Sequence, residues 1–213
     1  LRILETGRIA CKLEELIDIS IAEYKDKNIL SEENSTEIKT RLLDFFDIRL
    51  RTYMESRGVV YDVVNAIDFR RVPGISSAFA LAAALADLRK SDKFQSMLEV
   101  FTRVSNIMSK SAKDASFSTE CKPEHFQKEQ EGAMFAEINR IKSQWQGDAS
   151  SEEEYRKRIT DLASLTGVAT DFFDKVMVMD EDPQVRANRL ALLWNTRELF
   201  ISVADFGKIV KGQ

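Results

Sequence analysis

An all-α bundle of about eight helices is the fold this sequence predicts, and three observations predict it. Eight glycines and three prolines in 213 residues are about 5% of the chain, against roughly 12% in average proteins, which leaves few turns for a many-stranded sheet. Apolar residues recur at three- and four-residue steps in segment after segment, and neither a strand pair nor an internal repeat interrupts them. Hydrophobic residues make up 44% of the chain and charged residues 31%, enough apolar matter for a sizeable core and too much for a disordered chain.

The elements follow in order. Ile9, Leu13, Leu16, Ile17, Ile21 and Tyr24 lie at helical steps, which predicts an amphipathic helix from about Ile9 to Lys25. Asn28 to Thr36 is polar and reads as a loop. Asn34 followed by Glu37 has the spacing of a helix start; that helix runs to about Arg57, where Gly58 suits the left-handed position after its end. Val60 to Arg71 predicts another helix, stopped by Pro73-Gly74, and Ser76 to Arg89 an alanine-rich one. Asp92 to Lys110 carries Phe94, Leu98, Phe101 and Met108 on one side. Ser109 to Lys122 is the least periodic stretch and reads as a mobile connection. Pro123 fits the first turn of a helix to about Trp145, and Gln146 to Ser150 is a break. Ser151 with Glu154 forms a capping box, opening a helix to Leu165 closed by Gly167. A short piece covers Asp171 to Met179. Asp182-Pro183 then opens the last long helix, to about Ala204.

Composition excludes several chemistries. Two cysteines, Cys11 and Cys121, cannot make a disulfide scaffold and suit a reducing cytosol, and with the single His125 they make no ordinary zinc site. Neither GxGxxG nor GxxxxGK[ST] is present, so no glycine-rich phosphate loop is expected. His125 has no nucleophile or carboxylate at a catalytic spacing and reads as a solvent-facing helix residue. Glu152, Glu153 and Glu154 read as a solvated helix start, and Met177 with Met179 as core packing. No apolar run approaches the roughly 20 residues of a membrane span, and no signal peptide is visible. The chain begins with Leu1 and not Met, and reads as a piece of a longer one. Its net charge of −4 argues against gripping nucleic acid by bulk charge alone. The segment is expected to hold no catalytic residue and no metal.

The last forty residues carry a resemblance. Phe172-Phe173-Asp174-Lys175-Val176-Met177-Val178-Met179 is followed by Glu181-Asp182, Arg186-x-Asn188-Arg189-Leu190 and Ala204-Asp205-Phe206-Gly207-Lys208-Ile209-Val210. Upstream stand Leu1-Arg2-Ile3-Leu4-Glu5, then Arg49-Leu50-Arg51 with Gly58 and Asp62-Val63-Val64, then Arg103-Val104-Ser105-Asn106-Ile107. In this order they resemble the C-terminal anticodon-binding region of bacterial glycyl-tRNA synthetase β subunits. That region is similar to the helical family shared with arginyl-tRNA synthetase and named for an Asp-Ala-Leu-Arg motif. The resemblance implies residues 1–30 as a helical lead-in from a preceding domain and 31–213 as the anticodon-binding region. It implies a cytoplasmic ligase whose α subunit carries glycine, ATP and Mg chemistry, with no cofactor in this segment. The implied partners are tRNA(Gly), the α subunit and the rest of the β subunit, with no membrane. The alternatives are the related region of another synthetase, such as the arginyl enzyme, or a helical protein-interaction module with no RNA role.

Helical-wheel geometry sorts the candidate tRNA contacts. Arg103 and Asn106, three apart, fall outside the apolar arc of their helix, where a guanidinium beside an amide can bond a phosphate or an unstacked base. On the last helix, Gln184, Asn188, Asn195 and Ser202 form the polar face, while Arg186, Arg189 and Arg197 fall among apolar residues. An arginine there needs a partner, since an unpaired buried charge is expensive. Arg189 therefore reads as a brace to Asp174 or Glu181 before it reads as an RNA ligand, and Arg186 stands between the two roles. Arg49 likewise reads as a brace, to Asp62 or Asp68, with Arg51 pointing to solvent. From Gln184 to Gln213 five basic residues stand against two acidic, and from Gln146 to Asp182 four against ten, so the C-terminal segment is the more attractive to RNA. Phe172, Phe173 and Trp194 are placed in the core by their spacing, although each has a ring that can stack on a base.

Overall fold

The computed structural model describes residues 11–111 and 118–210. The predicted Ile9 start, the lead-in at Leu1 to Glu5 and the centre of the predicted mobile connection lie outside them. Among the described residues there are eight α-helices and no strand. They are α1 (Leu13–Asp26), α2 (Glu32–Ser56), α3 (Tyr61–Ala66), α4 (Ile75–Leu88), α5 (Lys93–Ser111), α6 (Glu129–Gln144), α7 (Glu152–Lys175) and α8 (Pro183–Val203), with single 3-10 turns at Pro123–His125 and Phe206–Lys208. No helix among them is long and apolar enough to cross a membrane. The chain divides into two compact units, one running to Ala86 and including Asp148–Tyr155, the other comprising Asp87–Gly147 and everything from Arg156 on.

In the first unit α1 packs on α2. Ile17 and Ile21, one turn apart, are buried, and the Lys39 ammonium ties the pair by reaching Glu14 at 2.8 Å and Asp18 at 2.7 Å. Asn28 takes a left-handed φ of 54° in the connection, a conformation its short polar side chain tolerates. The cap of α2 is Ser31, whose Oγ accepts from the Asn34 N–H at 3.4 Å, and not Asn34 itself. At the other end Gly58 has φ +89°, as the sequence predicts. The predicted helix from Val60 to Arg71 is only the six residues of α3, because Ile67 turns extended and buries its side chain.

The arginine pair on α2 is reversed from expectation. Arg51, not Arg49, is the brace: its Nε and Nη2 donate to Asp47 at 2.8 and 3.2 Å, and its Nη1 donates to the Val64 carbonyl at 3.1 Å. Its guanidinium also lies 5.1 Å from the Phe69 ring. Arg49 is exposed, over Phe45. The two differ by 200° around the helix, and α3 covers the side that holds Arg51.

The Ser151–Glu154 capping box forms as predicted. Glu154 Oε2 accepts from the Ser150 and Ser151 N–H groups at 2.7 and 3.0 Å, while the Glu154 N–H donates to Ser151 Oγ at 3.2 Å. Those two backbone donors, with the serine hydroxyls, pull the Glu154 carboxyl down to about 2. Its folded value lies below its ordinary one, so this contribution to stability is complete above the usual carboxylate range and is lost as pH falls toward 2. A carboxyl NMR titration should place the Glu154 midpoint near 2, and Ser151→Ala should raise it. A wild-type midpoint at the ordinary value of about 4.3 would contradict the capping geometry.

The second unit holds the larger core. On α5, Phe94, Met97, Phe101, Val104 and Met108 step by three and four and are all buried. They pack on α8, which also meets α6. Phe200 of α8 meets Phe101 at 5.7 Å and Phe206 of the C-terminal 3-10 turn at 5.2 Å between ring centroids. Pro123 opens only a 3-10 turn, and the helix expected from it begins later, at Glu129; His125 sits half-buried on that turn. Gly167 does not end its helix. α7 runs on through it to Lys175 and absorbs the short piece expected at Asp171, because Leu165, Ala169, Phe172 and Phe173 continue the buried stripe.

Candidate nucleic-acid interface

All four residues singled out for RNA contact lie in the second unit, and the structure separates them into two kinds. Arg103 and Asn106 sit one turn apart on α5 and are both exposed. The Arg103 guanidinium lies 4.2 Å from the Phe173 ring centroid and its Nη2 donates to the Phe173 carbonyl at 3.5 Å, in the last turn of α7. A cation at a helix C-terminus is favourable, and the ring face attracts the guanidinium. The result is an oriented, exposed guanidinium beside an exposed amide. Phe173 supports this platform from below and, like Phe172, is buried, while Trp194 is half-buried.

Arg186 and Arg189, one turn apart on α8, both hold the connection between α7 and α8. Arg186 Nη1 donates to the Asp180 carbonyl at 2.8 Å from a half-buried position. Arg189 is 2% exposed. Its Nε donates to Glu131 Oε1 at 2.9 Å, and its Nη1 to the Met177 carbonyl at 2.9 Å and to Asp180 Oδ2 at 2.6 Å. Its Nη2 reaches Gln127 Oε1 at 3.4 Å. Glu131 is fully buried, and its other oxygen accepts from the Gln127 and Lys128 N–H groups at 2.8 and 2.7 Å, capping α6. One guanidinium therefore joins α6, α8 and the 177–182 connection. Burial works against its charge, but Glu131 and then Asp180 outweigh burial and hold it above its ordinary range. The Asp182 N–H, and then Arg189, hold the Asp180 carboxyl below the usual carboxylate range.

The structure departs from three sequence expectations. Arg189 is a brace, but its partners are Glu131 and Asp180; Asp174 and Glu181 are exposed. At 2% exposure it has no surface to offer a ligand. Asn188, expected on the polar face, is buried: its Oδ1 accepts from the Lys122 N–H at 2.7 Å and its Nδ2 donates to the Lys122 carbonyl at 2.9 Å. It pins the segment before the 3-10 turn to α8. Met177 and Met179, expected in the core, are exposed at 75% and 54%, while Val176 and Val178 are buried. The helix has ended at Lys175, and in the bent connection that follows the valines and methionines turn alternately inward and outward.

Glu131 was not singled out in the sequence. Its signal was a glutamate in the third position of a helix, close to the two backbone donors that precede it. Among the described residues no group of three or more His, Cys, Asp and Glu side chains is placed to hold a metal ion.

Comparison with known proteins bears on the same region. The pattern of the DALR anticodon binding domain family matches residues 97–205, which lie mostly in the second unit. The chain is 36% identical over 173 residues to the glycine–tRNA ligase beta subunit of Geotalea daltonii, covering 81% of this chain and 24% of that protein. It is 31% identical over 205 residues to the beta subunit of Proteus mirabilis, covering 96% and 29%, and 28% identical over 209 residues to that of Oceanobacillus iheyensis, covering 98% and 29%. It thus spans under three-tenths of the length of each of these curated relatives.

Proposed function

The chain belongs to the DALR anticodon binding domain family, and from that premise we propose that it is the tRNA-recognition region of a glycine–tRNA ligase β subunit. Its task is to hold the anticodon arm of tRNA(Gly) while aminoacylation proceeds at a distant site on the α subunit, where glycine, ATP and Mg are handled. It works in the cytoplasm, alongside the rest of the β subunit, and contributes no catalytic group. One observation carries this reading: the likeness to β subunits runs along 96% or more of the chain in several relatives, well upstream of the matched domain. That favours the glycyl form over a synthetase sharing the DALR domain alone.

On this reading Arg103 and Asn106 are the first RNA contacts to test. Arg186 is half-engaged with the Asp180 carbonyl and ranks below them. With a net charge of −4, affinity for tRNA should be modest, with a Kd of about 10⁻⁶ M or weaker at physiological salt, and specificity should come from loop bases and shape. Log Kd against log salt should have a slope of about 0.7 per phosphate contact. Arg103→Ala should weaken tRNA binding by about 1–3 kcal/mol if the guanidinium meets a base, or by less and with a shallower salt slope if it meets a phosphate. Its cost in stability should stay within about 1 kcal/mol, the worth of an exposed cation–π contact. Absence of any salt-dependent tRNA binding would favour a protein-interaction module instead.

A further inference from the structure

Between α6 and α8, beside residues 119–121, opens a cleft of about 250 Å³. Its floor is the buried pair Ile138 and Leu192, and its side wall is Phe135, whose ring is met edge-on by Phe126 at 5.6 Å. Phe135, Ile138, Asn139 and Lys142 follow the i, i+3, i+4, i+7 pattern of one helix face. The polar rim is unequally engaged. Asn195 is fully used, its Nδ2 donating to the Thr119 and Ala191 carbonyls at 2.9 and 2.7 Å and its Oδ1 accepting from the Lys142 ammonium. Among the described residues, the exposed Asn139 amide has no hydrogen-bond partner, and Lys142 has no carboxylate partner. Glu120 is the acid on the rim.

These features belong together chemically. An aromatic wall over an apolar floor favours a flat ring, and a free amide offers one donor group and one acceptor to that ring's edge. A cation without a carboxylate favours the phosphate that such a ring trails in RNA. The volume lies just under the roughly 300–1,000 Å³ of small-molecule pockets, which suits one heterocycle with its sugar and phosphate left outside. Every residue named on the cleft from Thr119 to Asn195 lies within the stretch that matches the anticodon-binding family. We propose that this cleft receives one unstacked base of a single-stranded RNA loop, with Phe135 against its face, Asn139 on its hydrogen-bonding edge and Lys142 at its phosphate. The assignment rests on the tRNA-recognition reading above.

The test uses hairpin RNAs with an anticodon-type loop, intact or made abasic at each loop position in turn, titrated against the protein by fluorescence anisotropy. Wild type should lose roughly 5- to 100-fold in affinity when one particular base is removed. Asn139→Ala should bind the intact loop more weakly by a similar factor and become indifferent to removal of that same base. Lys142→Ala should flatten the salt dependence by about one phosphate contact. Both residues are exposed, so folded variants are expected, and thermal melts verify this. If wild type binds the hairpin while Asn139→Ala and Lys142→Ala bind every RNA as wild type does, the base pocket is overturned and the recognition reading stands on Arg103. If Asn139→Ala weakens all loops equally, including the abasic one that defines the position, the pocket is overturned as well. If wild type binds no hairpin at any salt, the pocket and the recognition reading fall together.

Discussion

Arg189→Ala should destabilise the protein by about 3–5 kcal/mol, because it leaves the fully buried Glu131 carboxylate without its counter-charge. Three connections fail at once. The α6 cap loses the charge that balances it, the Met177 carbonyl loses its donor, and Asp180 loses its tether to α8. Arg189→Lys should fall well short of rescue, because one ammonium cannot reproduce the planar fork that serves Glu131, Asp180 and Met177 together. Replacing the pair by apolar residues, Arg189→Met with Glu131→Met, should recover part of the loss, since it removes the isolated charge but leaves the Gln127 and Lys128 N–H groups without their acceptor. Denaturant melts of the three variants check the order. Should Arg189→Ala melt within about 0.5 kcal/mol of wild type and yet lose tRNA binding, the brace and ligand roles are reversed.

Phe200→Ala should also cost about 3–5 kcal/mol, the range for removing a large aromatic side chain from a packed core. Phe200 is fully buried and touches both Phe101 and Phe206, so one truncation opens a void where α5, α8 and the C-terminal 3-10 turn meet. Phe101 and Phe206 also pair with each other, at 6.0 Å, and a contact remains to bind those two elements. The variant should therefore fold with lowered stability, and Phe200→Leu should be milder because it leaves a smaller cavity. Faster amide exchange in α5 and in Phe206–Lys208 would locate the damage. A change in stability under about 1 kcal/mol would mean that the site collapses to fill the void.

Local chemistry made much of the fold legible. Ser151 with Glu154 and Asp182 before Pro183 mark helix starts because a cap is satisfied by backbone groups two or three residues away. Gly58 marks a helix end for an equally local reason, a positive φ. The α5 stripe from Phe94 to Met108 predicts its own buried face, and thereby leaves Arg103 and Asn106 exposed, because only one side of that helix is covered. The order of short motifs, from Arg49 to Val210, was enough to suggest the family that the comparison then identified.

What the sequence by itself determined is therefore the class of the fold, most helix boundaries and the exposed half of the candidate interface. Only the tertiary structure decided which arginine braces what. Arg49 and Arg51 sit on the same helix, and it is the position of α3 that engages Arg51. Asn188 and Arg189 lie on a helix covered on more than one side, so no polar face exists there for a wheel to find. The partner of Arg189 is Glu131, 58 residues earlier, and no local spacing announces a pairing made across the core. The cleft of Phe135, Asn139 and Lys142 is not legible in the sequence for the same reason: α6 supplies a stripe of one apolar ring and two polar groups, and only α8 against it makes that stripe the wall of a cleft. A helical period fixes an angle around one axis, whereas burial, pairing and concavity depend on what a second element places opposite that angle.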